Sequence, residues 1–349
     1  MSKRTIEQLL RKNILNLKPY SSARDEYTGE EGVFLDANEN PFNSPYNRYP
    51  DPYQRKLKDK IANLKNVEAS QIFLGNGSDE PIDLLFRAFC EPGEDNVVSI
   101  DPTYGMYQVA ADINNIKVKK VLLKDEYQLD VDGLLSAANE NSKILWLCSP
   151  NNPTANCFPK TDIVRLIEEF DGIVVVDEAY IDFAPENSFL PEIDNYSNLV
   201  VLQTFSKAWG MAGIRLGMAF SNESIIKVLS KIKYPYNVNI LTQQKAIELL
   251  DKNIEKVNEW VNLLLSEREL LGKEIENLSF VKHIYPSDAN FLLVKVDDAK
   301  KTYKFLADKQ VIVRDRSSVA LCDGCLRITI GSQEENTALI SALKLYEAQ

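Results

Sequence analysis

Two segments hold residues that packing alone does not explain. In Thr204-Phe-Ser206-Lys207-Ala-Trp-Gly210-Met-Ala-Gly213-Ile-Arg215-Leu-Gly217, one lysine stands among hydroxyls and glycines, between apolar stretches where a surface lysine would have charged neighbours. A lysine that works as a neutral amine and forms imines needs such desolvating surroundings. Arg215, with the hydroxyls of Thr204 and Ser206, is then suited to grip a phosphate. In Ile173-Val-Val-Val176-Asp177-Glu178-Ala179-Tyr180, a buried strand ends in an acid, and a carboxylate is costly there without a cation beside it. A protonated pyridine nitrogen is one such cation. A helix N-cap or a magnesium–phosphate site fits this segment equally when it is taken alone.

Two further segments present backbone rather than side-chain chemistry. Gly75-Asn-Gly77-Ser78-Asp79-Glu80-Pro81 lets the chain approach a ligand, with Ser78 or Asp79 expected to cap the helix that follows and Pro81 tolerated in its first turn. Free amides at that helix start suit a phosphate, although an ordinary capped turn has the same sequence signature. Ser149-Pro150-Asn151-Asn152-Pro153-Thr154 is held stiff by its two prolines, so Asn152 is presented in a fixed orientation; a plain rigid turn would look the same.

All four segments must be carried to one edge by regular elements. Apolar strand-like runs at 72–74, 97–100, 118–123, 144–148, 173–176, 199–202 and 218–220 alternate with helical patterns at 52–65, 79–90, 103–113, 130–139, 160–170 and 222–231. This alternation predicts an α/β fold whose mostly parallel sheet is covered by helices on both faces. Each chemical segment follows the carboxyl end of an expected strand, where such sheets bind ligands. From about residue 241 the texture changes to a long helical pattern reaching 278, strands at 291–296 and 326–330, and a closing helix at 333–347. The expected division is therefore a large domain over 45–240, with an N-terminal arm over 1–44 and a smaller α+β domain over 241–349.

Composition narrows the function classes. The 349 residues are 44% hydrophobic and 26% charged, and none of the apolar runs approaches the roughly 18 residues that span a bilayer. A formal charge of −11 disfavours nucleic acid or an anionic membrane as partner. Residues 1–20 read as an amphipathic arm rather than a signal peptide, and five scattered cysteines suit a reducing cytoplasm. Cys322-Asp-Gly-Cys325 has the spacing of half a zinc site, but no second Cys/His pair completes it, so no metal is expected. His283 is the sole histidine and reads as structural.

In order and spacing, Ser149-Pro-Asn-Asn-Pro-Thr154, Val176-Asp-Glu-Ala-Tyr180 and Thr204-Phe-Ser-Lys-Ala-Trp-Gly-Met-Ala-Gly-Ile-Arg215 resemble the fold-type I pyridoxal-phosphate aminotransferases. Within them, Leu35-Asp-Ala-Asn-Glu-Asn-Pro41, Arg48-Tyr-Pro-Asp51, the Gly75 loop with Cys90-Glu-Pro-Gly93, and Cys325-Leu-Arg-Ile-Thr-Ile-Gly331 resemble the histidinol-phosphate aminotransferases. The resemblance spans nearly the whole chain. It implies a pyridoxal-phosphate cofactor joined to Lys207, which later shuttles the substrate proton. It also implies that Asp177 pairs with the ring nitrogen, that Tyr180 and Asn152 bond the ring hydroxyl, and that Tyr104 stacks on the ring. Gly77, Ser78, Asp79, Thr204, Ser206 and Arg215 would surround the cofactor phosphate, and Tyr49 would reach it from the neighbouring subunit of a homodimer with shared active sites.

For the substrate, the resemblance implies Arg327 as the anion ligand, with Arg314 as a second candidate and Tyr20, Asn40 and Asn290 lining the pocket. One guanidinium fork accepts a phosphate or a carboxylate, so it can serve both histidinol phosphate and glutamate or 2-oxoglutarate. An ion pair with Asp315 is the ordinary alternative for Arg314. An aminotransferase for aromatic or acidic amino acids, or a decarboxylase acting on threonine phosphate, would share every cofactor residue. A cofactor-bound transcription regulator would need a DNA-binding domain that the residues before about 45 are too few to form.

Overall fold

Uninterrupted apolar runs become the interior of a seven-stranded sheet. The structure, a computed structural model, describes residues 3–20 and 32–349. Its strands are β1 (Ile72–Asn76), β2 (Asn96–Asp101), β3 (Lys117–Leu122), β4 (Ser142–Cys148), β5 (Ile173–Asp177), β6 (Leu199–Thr204) and β7 (Leu216–Ser221), in spatial order β1-β7-β6-β5-β4-β2-β3. Strands β3, β2, β4, β5 and β6 run parallel, and β7 alone is reversed, pairing antiparallel with both β6 and β1. Edge strand β3 carries Lys117, Lys119 and Lys120, charges that discourage pairing with another sheet.

Period-2 alternation sorts the strand residues between two cores. Ile144, Trp146, Ile173 and Val175 pack with the helices Asp79–Phe89, Met106–Ile113 and Glu223–Ile232. Leu145, Leu147, Val174 and Val176 pack on the opposite face with the helices Arg55–Lys65, Val131–Ala137 and Lys160–Glu169. Asp177 is next in the β5 series after Val175, so its side chain falls on the Met106–Ile113 side.

A second sheet, of β8 (Val281–Ile284), β9 (Phe291–Val296), β10 (Arg314–Asp315) and β11 (Cys325–Thr329), is antiparallel throughout, in order β10-β11-β9-β8. The 37-residue helix Ile240–Glu276, capped by Asn239, feeds both units: Ala246, Leu250 and Val257 enter the large-sheet core, while Leu271 and Ile275 enter the small one. The small core is completed by Leu306 from the helix Ala299–Asp308 and by Leu339 and Leu343 from Gln333–Glu347.

Three local expectations need correction. The helix Ala299–Asp308 lies outside the elements expected from sequence, although its signal was present: Asp298 accepts from the Lys301 amide at 2.9 Å, and Ala299, Thr302 and Leu306 form a buried stripe. Strand β10 is too short to show periodicity. The N-terminal arm forms two four-residue helices, Ile6–Leu9 and Lys12–Leu15, because Leu10 and Arg11 are extended between them.

Candidate active site

The carboxyl ends of β4, β5 and β6 open into a cavity of about 400 Å³. At its floor Asp177 is fully buried, its Oδ2 accepting from the Tyr107 hydroxyl at 2.6 Å and its Oδ1 from the Ala179 amide at 3.1 Å. Burial is the largest influence and raises the carboxyl pKa to about 6, against the two hydrogen bonds that pull it down. Tyr107 is itself locked between aromatic neighbours, stacked on Trp146 at 4.8 Å and edge-on to Tyr104 at 5.6 Å. It was missed from sequence because it lies 70 residues from Asp177, and its spacing three residues after Tyr104 is an ordinary helical one.

Beyond β6 the chain turns sharply and delivers Lys207. The Ser206 amide donates to Thr204 Oγ1 at 3.1 Å, and the Gly210 amide, at φ +63°, donates to the Lys207 carbonyl at 3.0 Å. Lys207 Nζ stands 5.4 Å from the centre of the Tyr180 ring. The side chain meets solvent through the cavity mouth, yet protein surrounds most of it. That desolvation, helped by the charge of Arg327, lowers its pKa and favours the neutral amine.

One end of the cavity is shaped for a compact anion. Gly77 sits at φ +69°, and a Cβ there would come within 2.6 Å of Arg215 Nη2, so the glycine is required twice over. The expected cap is absent: Ser78 occupies the N-cap position of Asp79–Phe89 without a side-chain hydrogen bond, because its backbone is already helical. The amides of that helix start therefore remain available to a ligand. Asp79 instead orients its neighbours, accepting from the Tyr104 hydroxyl at 3.1 Å and from Arg215 Nη2 at 3.4 Å. Thr204 and Ser206, hydrogen-bonded at 3.0 Å, complete this end.

The opposite wall comes from the small sheet. Arg327 on β11 faces Arg314 on β10, donates from Nη1 to Asn152 Oδ1 at 2.6 Å, and lies 5.4 Å over the Phe291 ring. Asn152 in turn reaches the Tyr180 hydroxyl at 3.5 Å, so one polar chain links the two domains' contributions. No ion pair joins Arg314 to Asp315, whose Oδ1 accepts from the amide and hydroxyl of Ser317. A third cavity residue, Arg316, was not foreseen; the Arg-Asp-Arg alternation around Asp315 was its signal, unreadable without the pairing of β10.

Three residues expected in the substrate pocket do not line this cavity, and Tyr49, expected to reach it from a neighbouring subunit, lies outside the cavity of its own chain. Tyr20 belongs to a separate hollow with Tyr53 and Lys58, and Tyr49 stacks on Tyr236 at 4.4 Å. The Asn40 Oδ1 accepts from the Phe42 amide at 2.9 Å, and the Asn290 carbonyl accepts from the Ile330 amide at 2.9 Å. Cys322 and Cys325 are buried thiols bracketing a tight turn, the Cys325 amide donating to the Cys322 carbonyl at 3.0 Å. His283 is exposed on β8, edge-on to Tyr285.

The family model for aminotransferase class I and II matches residues 31–343. The chain belongs to this family. Its relatives include the histidinol-phosphate aminotransferase of Bacteroides fragilis strain YCH46, 57% identical over 345 residues that cover 99% of this chain and all of the relative. Among solved structures, the histidinol-phosphate aminotransferase from Clostridium acetobutylicum superposes with a TM-score of 0.79 at 27% identity, covering 87% of this chain and 91% of that one. The L-threonine-O-3-phosphate decarboxylase from Porphyromonas gingivalis, TM-score 0.72 at 24% identity over 86% of this chain and 93% of its own, shares the fold. The protein is thus a pyridoxal-phosphate-dependent transaminase with a fold-type I architecture. The cavity fits that cofactor: a glycine cradle and an arginine offer a phosphate seat, and a buried carboxylate that forms no salt bridge among the described residues suits a protonated ring nitrogen.

Proposed function

We infer that the cavity transfers an amino group reversibly between L-histidinol phosphate and 2-oxoglutarate, giving imidazole acetol phosphate and glutamate. The observation that carries this reading is the facing of Lys207 and Asp177, on the large sheet, by the guanidinium pair Arg314 and Arg327 on the small one. The 57% identity over the whole chain to relatives named for this activity supports the substrate assignment.

Bound pyridoxal phosphate supplies an electron-poor ring that takes up the electron pair released when the substrate Cα–H bond breaks. The chain's own residues do the rest. Lys207 holds the cofactor and, as a neutral amine, accepts the Cα proton and returns it. Asp177, kept ionised by the cationic ring nitrogen and by its two donors, holds that nitrogen protonated. Tyr180 and Asn152 hold the ring hydroxyl, and Tyr104 covers the ring face. Gly77, Ser78, the amide of Asp79, Thr204, Ser206 and Arg215 seat the phosphate. Arg327, with Arg314, takes the substrate anion, which is a phosphate in one half-reaction and a carboxylate in the other.

Assembly as a homodimer completes the site in this reading. Val33, Leu35, Phe42 and Tyr49 are exposed apolar or aromatic side chains on the segment before residue 50, which suits burial against a second copy. Tyr49 of the second copy would then reach the cofactor phosphate, with Tyr20, Asn40 and Asn290 assigned to the substrate pocket. Among the described residues no helix is long and apolar enough to cross a membrane, and five unpaired cysteines suit the reducing cytoplasm we assign.

Turnover of histidinol phosphate with 2-oxoglutarate, measured against a panel of amino acids, tests the reading. The phosphorylated amine should be preferred. Equal or better rates with phenylalanine, or release of carbon dioxide from a phosphorylated amino acid, would remove the substrate assignment and leave the cofactor chemistry in place.

A further inference from the structure

Strand pairing brings three arginines to one face of the small sheet. Arg314 stands opposite Arg327 in the β10–β11 register, and the Arg316 amide donates to the Cys325 carbonyl at 2.9 Å, continuing the same ladder two residues on. Side chains two apart on a strand share a face, so Arg314, Arg316 and Arg327 all enter the cavity. No acid is paired with any of them among the described residues. Four buried side-chain nitrogens or oxygens among the described residues lack a hydrogen-bond partner, and Arg316 Nε is the one that belongs to a charged group. A half-buried guanidinium with an unmet N–H, beside two like charges, is unfavourable unless an anion joins it.

The anion's shape follows from the number of forks. A carboxylate has two coplanar oxygens and one charge, and a single bidentate guanidinium saturates its best geometry. Arg327 is sufficient for that. A phosphate monoester has three peripheral oxygens in a tetrahedral array and nearly two charges, so it can accept from three forks approaching from different sides.

We propose that Arg316 is a specificity-determining ligand for the phosphate of a phosphorylated amine substrate, acting with Arg314 and Arg327, and that it contributes little to binding of the dicarboxylate partner. This rests on the reading of the cavity given above and assigns it a residue that the sequence motifs left out. Chemically, Arg316 is what makes a wall that can take a single carboxylate group on Arg327 prefer a dianionic ester.

Steady-state kinetics of both half-reactions with Arg316→Gln and Arg316→Lys test the assignment in the cofactor-loaded protein. Loss of one charge-assisted contact should lower kcat/KM for L-histidinol phosphate by about 10- to 100-fold, through KM, while the value for glutamate falls no more than about threefold. Inorganic phosphate should inhibit the wild type competitively and the Gln variant more weakly. Lysine keeps the charge without the fork, so it should restore part of the loss. An unchanged absorption spectrum of the bound cofactor checks that the site is assembled. If both substrates lose equally, or neither does, while the wild type turns over the phosphate ester, Arg316 has no such role although the cavity reading stands. If the wild type does not act on the ester at all, reading and assignment fall together.

Discussion

The two walls of the cavity handle charge in opposite ways. On the large-sheet wall the acids have protein partners: Asp177 holds Tyr107 and the Ala179 amide, and Asp79 holds Tyr104 and Arg215. On the small-sheet wall Arg314 and Arg316 stand beside Arg327, with no carboxylate paired to them among the described residues. Burial lowers the pKa of Arg316 and Arg327, and each is lowered further by arginine charge beside it. The difference accords with the proposed reading, in which the cofactor lies against the first wall and the substrate anion against the second. A resident cofactor can have its surroundings organised in advance, whereas a substrate anion that comes and goes must bring its own charge to complete the wall.

Four substitutions test this contrast, beginning with the largest expected effect. Lys207→Ala should retain the fold by circular dichroism and lose transamination by about 10³-fold or more, since the proposed proton carrier is gone. Borohydride should attach the cofactor irreversibly to the wild-type lysine and leave no such adduct on the variant. Residual activity within tenfold of the wild type would break the contrast at its centre.

Asp177→Asn removes the buried charge that the proposed reading sets opposite the ring nitrogen and should lower kcat on the order of 10²- to 10³-fold. Its effect on cofactor-free stability has the opposite sign. The native carboxyl titrates near 6 instead of its usual 3.8, so the native state binds the extra proton between those values. The associated stability is fully present below about 3.8 and is lost as pH rises through about 6. Denaturation of the two cofactor-free proteins should therefore show little difference at pH 4 and an advantage for the Asp177→Asn variant on the order of 2–3 kcal/mol at pH 8. A constant difference across that range would mean that Asp177 does not carry the buried charge.

Arg327→Gln acts on the other wall and should lower kcat/KM about 10- to 100-fold for the phosphate ester and for glutamate alike, because the proposed reading assigns both anions to it. Selective loss of one substrate would assign the shared anion site elsewhere. Tyr107→Phe should have the smallest effect, a severalfold loss. Without that hydroxyl donor the Asp177 carboxyl of the cofactor-free protein moves above 6, so the limb over which its stability falls with rising pH should shift upward. An unmoved limb would show that the hydrogen bond does not tune the acid.

Strands β4 to β7 were readable from sequence because each is buried on both faces and so is apolar almost without interruption. Lys207, Asp177 and Arg215 were readable for the converse reason: a costly residue at the end of an apolar run demands a chemical explanation. The reading did less well where the signal was short or shared. Ser78 looked like a cap because serine commonly is one, but its own helical φ and ψ leave the hydroxyl nothing to close.

Residue types and their periodicity, which depend only on near neighbours along the chain, determined the α/β pattern, the four chemical segments and the position of the amine. Tertiary structure alone decided that Tyr107 meets Asp177 across 70 residues, that Asn152 and Arg327 share a hydrogen bond across 175, and that a two-residue strand turns Arg316 into the cavity. The physical reason is common to all three. Strand register and helix packing fix which way a side chain faces, and both come from burial of apolar surface by the whole chain rather than from the residues that do the chemistry.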